Sequence, residues 1–205
     1  MSRLKKTWAA TLLGLALLPC HGQLPFLATN TPALRVEMRA GETVGAEQIH
    51  RAFISLGTNK LVLRVPGGFQ LDAADPDRVV VSNLELGQYI SIQLVPRSQA
   101  GDAPARDAWK QRALRLGQNP TIVEELTEYA LNRSGPGFDL RWMQSGAEQR
   151  ARVVYIPTSS GTLEISLFAS AAQFDRARLF LRIVLASMQT DEHGPIVITP
   201  LPDFS

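Results

Sequence analysis

Residues 163–188 constrain the fold more than any other stretch of the chain. Leu163, Ile165, Leu167 and Ala169 alternate with Glu164, Ser166, Phe168 and Ser170, the period-two pattern of a strand buried on one face. Phe174, Ala177, Leu181, Val184 or Leu185, and Met188 then recur at helical spacing, and "HGP" at 193–195 ends the run. Ser170-Ala171-Ala172-Gln173 has the form of a capping box, which sets the predicted helix at 172–188. A one-faced strand followed at once by a one-striped helix can bury both apolar sides together. The stripe of Phe174, Leu181 and Met188 is therefore expected on the sheet face made by Leu163, Ile165 and Leu167.

Further strands are predicted at 34–38, 60–65, 69–72, 78–82, 89–95, 138–144 and 150–156. Each is short, partly β-branched or aromatic, and bounded by Gly, Pro, Asn or Asp. Val153–Ile156 is apolar throughout, as in a strand covered on both faces. Three more helices are predicted. One spans 45–56. A second covers "RDAWKQRALRL", where Trp109, Ala113 and Leu116 form one stripe. The third runs from Asn119-Pro120 to about Arg133. It rests on a capping asparagine, proline at the first helical position, and Glu124 and Glu125 near the positive end of the dipole. Leu24–Pro32 has linker composition, and "RSQAGDAP" at 97–104 reads as a long loop rather than a boundary.

The start of the chain sets an expected address. Arg3, Lys5 and Lys6 precede the uncharged run Thr7–Leu18, which has the length of a signal h-region and is too short to span a bilayer core of roughly 30 Å. Pro19 breaks that run, and a cut before Gln23 would discard the lone cysteine, Cys20. The alternative is a lipoprotein acylated at Cys20, for which Pro19 is a poor fit. A chain beginning at Gln23 has 183 residues, no cysteine for a disulfide or thiol chemistry, and 18 basic against 19 acidic residues. No polybasic block points to nucleic acid or an anionic membrane. A membrane is expected as a partner only if Cys20 is lipidated.

"LRVPGGFQL", "FDLRWM" and "RVVYIPTSSGTLEISLFASAAQFDRARLFLRIVLASM" together resemble the PsbP/DcrB-like group over about residues 58–190. The resemblance implies an α+β fold: an α/β/α sandwich with a central, mainly antiparallel β-sheet and a long C-terminal helix. It implies no catalytic residue set, since members of the group do unrelated jobs. The expected organisation is a signal peptide at 1–22, an N-terminal extension with strand and helix at 23–57, and the sandwich domain at 58–205.

Candidate chemistry is sparse. His50 lies on a predicted helix. His193 closes another and, with Asp191 and Glu192, could supply part of a metal site, but adjacent side chains seldom converge on one ion. Asp72, Asp75 and Asp77 lack the glycine and closing glutamate of a calcium loop and read as turn residues. "SGPGF" at 134–138 follows a predicted helix rather than opening one and reads as a loop, not a phosphate cradle. Glu124 and Glu125 point to different faces, and Glu128 shares a face with Glu124, most simply in solvent. Trp109 and Trp142 read as core. No catalytic residue, cofactor or metal is expected.

The expected function is therefore binding or assembly with a protein partner in the cell envelope. The alternative is a small-molecule or metal-binding enzyme whose site is scattered in sequence. If Leu140 and Trp142 face one layer, alternation sends Arg141 and Met143 to the other side, while Glu164 and Phe168 oppose the Leu163 stripe. Arg141, Met143, Glu164 and Phe168 are the candidate protein-contact patch, a mixture enriched at interface cores. The hairpin register joining the two pairs is open by one residue, and a slip would flip it. In the competing reading the helix at 106–117 covers this face with Trp109 and Leu116.

Overall fold

The computed structural model describes residues 34–44, 47–56, 59–65, 67–97 and 106–190. In chain order these form β1 (Arg35–Val44), β2 (Glu47–Leu56), β3 (Asn59–Val65), β4 (Gln70–Asp72), β5 (Arg78–Asn83), β6 (Gln88–Pro96), α1 (Arg106–Ala113), β7 (Thr121–Ala130), β8 (Arg133–Gln144), β9 (Ala147–Pro157), β10 (Gly161–Ser170), α2 (Phe174–Ser187) and β11 (Gln189–Thr190). A seven-stranded sheet runs β4-β5-β6-β10-β9-β8-β7, and a four-stranded one runs β1-β2-β3-β11. Every strand pairing described is antiparallel. The predicted signal peptide, Cys20, the 24–32 linker, most of the 97–104 loop and Asp191–His193 lie outside the described residues.

Register assigns the faces of the large sheet, because residues directly opposite share a face. Leu163, Ile165 and Leu167 stand opposite Leu94, Ile92 and Ile90 on β6 and Ile156, Val154 and Arg152 on β9. This inner face meets Phe174, Ala177, Leu181, Val184, Leu185 and Met188 of the α2 stripe, as its spacing implied, together with Ala52, Ile54, Leu61 and Leu63 of the small sheet, in one apolar cluster. The outer face carries Tyr155, Val153, Ala151, Phe138, Leu140 and Trp142. There Trp109 and Ala113 of α1 close a second cluster. Val153–Ile156 is buried throughout, because both faces of β9 are covered.

The architecture departs from the expected α/β/α sandwich: it is mainly β, two antiparallel sheets with two helices among the described residues. Two predicted helices are strands. The 45–56 segment becomes β2, which pairs with β1 on one side and β3 on the other and sends Ala52, Ile54 and Leu56 inward. Pairing on both edges overrides helix propensity, which is a weak prior. The 120–133 segment becomes β7. Asn119 has φ 52°, a left-handed turn residue and not the extended residue a helix cap requires. Pro120 then leads into an edge strand, where a missing N–H is tolerated.

Two smaller readings also change. The capping box does not form: Ser170 ends β10, and Gln173 caps α2 with no side-chain bond. "SGPGF" is not a loop but part of β8. Gly135 is required there, since a Cβ at that position would lie 1.7 Å from the Tyr155 carbonyl oxygen.

Candidate functional site

The structure does not bring the four candidate contact residues onto one sheet face. Arg141 and Met143 stand opposite Arg150 and Glu148, in the alternation of the inner face. Phe168 and Leu140 both stand opposite Ala151, so Phe168 and Glu164 lie on the outer face with Trp142. The register is the alternative that flips the pairs. Arg141 and Met143 are exposed, Phe168 is half-buried, and Glu164 is only 2% exposed. Helix α1 covers part of the Phe168 side and none of the Arg141 side.

Two of the four, Arg141 and Met143, nevertheless line one feature at the end of the large sheet, which Phe168 reaches through Trp142. β7 begins at Thr121, opposite Arg141, whereas β8 and β9 stay paired to Gln144 and Ala147. Trp142, Met143 and Gln144 thus lack a strand neighbour on the β7 side. A cleft of about 510 Å³ opens in this notch, lined by Gln118, Asn119, Thr121, Arg141, Trp142, Met143 and Glu148. The chain after α1 lies directly on the Trp142 indole at Gly117, where a Cβ would be 2.9 Å from the ring. Trp142 meets Phe168 edge to face at 6.3 Å, and Phe168 stacks on Tyr89 at 4.6 Å. An aromatic strip therefore crosses the outer face from the exposed Tyr89 to the cleft. Trp142 read as core, which it is by burial; its second role as a cleft wall depends on where β7 starts, and no local pattern marks that point.

Much of the buried charge elsewhere is taken up by structure. Arg152, 3% exposed, donates to both Asp139 oxygens at 2.6 and 2.8 Å and to Glu128 at 2.9 Å; the exposed Glu124 lies 3.8 Å away. Glu124 and Glu128 do share a face, but by strand alternation rather than a helical turn, and Glu128 is drawn out of solvent onto the arginine. Glu125 points the other way and pairs with Lys110 and Arg106 of α1, which hold its carboxyl below the ordinary range. Asp72 and Asp75 accept backbone bonds two residues on, at 2.8 and 3.0 Å, as the turn reading implied. His50 is exposed on β2. Among the described residues, no group of three His, Cys, Asp or Glu side chains is placed to hold a metal ion.

On the outer face, Glu164 accepts from Arg112 of α1 and from Gln93. The fully buried Tyr155 lies beneath Trp109, stacked at 4.5 Å. Burial first, then the Glu164 charge, pushes the Tyr155 phenol far above its ordinary range. The sign follows. An acid whose folded pKa is raised supports the fold at neutral pH and stops doing so once the unfolded phenol ionises, at about pH 10. Urea unfolding should show stability falling above that pH. Tyr155→Phe should fall less, the gap growing by about 1.4 kcal/mol per pH unit. Equal pH dependence in the two proteins would show that the phenol is solvated.

No known family matches the chain, and no curated protein does. Solved structures similar to it include cyanobacterial PsbP from Synechocystis, with 13% identity and a TM-score of 0.48 over 73% of this chain and 98% of that one. LpqN, described as involved in cell envelope biogenesis in Mycobacterium tuberculosis, is similar at 12% identity and a TM-score of 0.40 over 76% and 91% of the two chains. A Bacteroides thetaiotaomicron protein is similar at 11% identity and a TM-score of 0.45; the likeness covers 66% of this chain and 46% of that one, less than half its length. No helix among the described residues is long and apolar enough to cross a membrane.

Proposed function

We propose that this chain is an exported domain without catalytic activity that binds a protein partner in the cell envelope. Residues 58–205 would form its PsbP-like part, following a signal peptide at 1–22 and an extension at 23–57. The observation that carries the reading is the notch at the end of β8. The stretch Trp142–Gln144, paired with β9 but open on its β7 side, carries the exposed Met143 next to the exposed Arg141 and joins the aromatic strip of Phe168 and Tyr89 through Trp142. An extended peptide segment can add to such a strand edge by backbone bonds, while arginine, methionine and aromatic side chains supply interface contacts. The buried Glu164 acts by fixing α1 to the sheet rather than by touching the partner.

The test is a photo-crosslinking amino acid at Met143 in the full chain within its own cells. One crosslinked protein is expected. It should be absent when the probe sits at Leu84, which is 78% exposed in the turn between β5 and β6, and lost with Arg141→Glu. A folded protein that gives no adduct at Met143, or the same adducts at both positions, sinks the reading.

The second reading places a small molecule in the same cleft, because about 510 Å³ falls within the usual range of ligand pockets. It expects a metabolite panel to raise the melting temperature, and Met143→Arg to abolish that rise.

A further inference from the structure

Beside the notch, the inner face of the large sheet carries a basic pair with no carboxylate partner among the described residues. Arg141 and Arg150 stand directly opposite each other on β8 and β9, where like charges repel. Arg141 is exposed; Arg150 is half-buried, and its Nε is buried without a hydrogen bond. Neither side chain has an ion pair among the described residues. The Arg150 guanidinium lies 4.4 Å from the centre of the Phe174 ring. Phe174 opens α2, so this cation sits by the positive end of a helix dipole, where positive charge is disfavoured. The other charges on this face are engaged. Arg152 holds Asp139, and Arg178 bonds Asp175 at 2.5 Å and lies 3.8 Å from Asp139. Glu148, exposed and opposite Met143, shares the face two residues from Arg150 and forms no ion pair with either arginine. Two cations and one anion leave this corner one negative charge short.

We propose, resting on the strand-edge reading above, that the partner segment bound along β8 presents an acidic side chain, aspartate or glutamate, to Arg141. Register gives the place. Thr121 stands opposite Arg141, so Asn119 would stand opposite Met143 if β7 reached two residues further back. Instead Asn119 has φ 52° and turns the chain off the sheet, which leaves that place open to a foreign residue. A side chain there points to the inner face, as Arg141 and Met143 do. It is a diagonal neighbour of Arg141, roughly 7–8 Å away and within reach of long side chains. Arg150 does not line the cleft; it acts from one strand further, by its charge. A carboxylate in this place completes the local balance, whereas a lysine would add a third cation. A small anion would gain only an ion pair with an exposed arginine, which contributes little in water. A peptide adds backbone bonds along Trp142–Gln144 to that pair.

The test is selection of displayed random peptides on the full chain with the photo-crosslinking amino acid at Met143. Peptides that crosslink should carry Asp or Glu at one fixed position. Changing that residue to Asn or Gln in the synthetic peptide should weaken binding about tenfold, the scale of a charge-assisted hydrogen bond. Arg141→Gln should shrink that gap to under about twofold at an unchanged melting temperature, because the pair is then already broken. Arg182→Gln, at an exposed site on α2, should leave the gap intact. Crosslinked peptides without an acidic residue, or an undiminished gap in folded Arg141→Gln, overturn this proposal and leave the strand-edge reading standing. No peptide crosslinked at Met143 overturns both. Free glutamate that raises the melting temperature as much as the peptide does would make the occupant a small anion and also overturn the proposal. Should Arg141→Gln unfold, the peptide pair is compared on the wild type at low and at about 0.5 M salt, where an ion-pair gap must narrow. A gap indifferent to salt overturns the proposal.

Discussion

Asp139→Ala should lower stability by about 3 kcal/mol, at the lower end of the range for breaking a buried ion pair. The loss is large because of what stays behind. Arg152 is 3% exposed and Asp139 1%, so the guanidinium cannot recover solvent when its bidentate partner goes. Burial by itself disfavours the arginine charge. The bonds and charge of Asp139, then the charges of Glu128 and Glu124, more than offset that and hold Arg152 above its ordinary range. Glu128 remains at 2.9 Å in the variant, which keeps the cost from reaching the upper end. Glu124→Ala removes a carboxylate that is 56% exposed and 3.8 Å away and should cost under about 0.5 kcal/mol. Replacing both members of the pair, Arg152→Met with Asp139→Leu, should recover part of the loss, since the charge left without its partner is then Glu128, which keeps 16% of its side chain exposed. Urea unfolding of the four proteins checks the pattern. A loss below about 1 kcal/mol for Asp139→Ala would mean that water reaches Arg152.

Leu181→Ala should cost about 2–5 kcal/mol, through lost burial and the cavity left behind. Leu181 is 1% exposed, midway along the α2 stripe, in the cluster that joins α2 to Leu163, Ile165 and Leu167 and to Leu61 and Leu63 of the small sheet. Three elements meet in this cluster, so no single one can shift freely to fill the gap. Leu179→Ala changes the same residue type two positions earlier, at 59% exposure, and should stay within about 0.5 kcal/mol. Denaturant midpoints for the pair separate core from surface. If the two variants lost equal stability, α2 would not pack as described.

The sequence by itself determined the elements whose pattern is local. The alternation at 163–169 and the stripe from Phe174 to Met188 each carry their own period, and one buried face leaves one arrangement of strand and helix. The aspartates at 72 and 75 are similarly self-contained, since an Asx turn closes within two residues. The 47–56 and 121–130 segments failed that kind of reading because their signals were ambiguous at short range. Ala52-Phe53-Ile54 satisfies either period, and Asn119-Pro120 suits a helix start as well as a left-handed turn into an edge strand. Partners on other strands decided both, through backbone pairing that no window of the sequence contains.

The sites depended still more on tertiary structure. Arg141 and Phe168 were recognisable as interface-type residues, but a register slip of one residue decides which face each occupies, and only the paired strands fix it. The cleft exists because β7 stops at Thr121 while β8 continues to Gln144. The buried charge of Arg152 is held by carboxylates from β7 and β8. Each such residue looks ordinary among its sequence neighbours. Strands place side chains two residues apart on one face and residues from distant segments about 5 Å away across it, so charge and aromatic groups accumulate perpendicular to the chain, in the direction the sequence does not record.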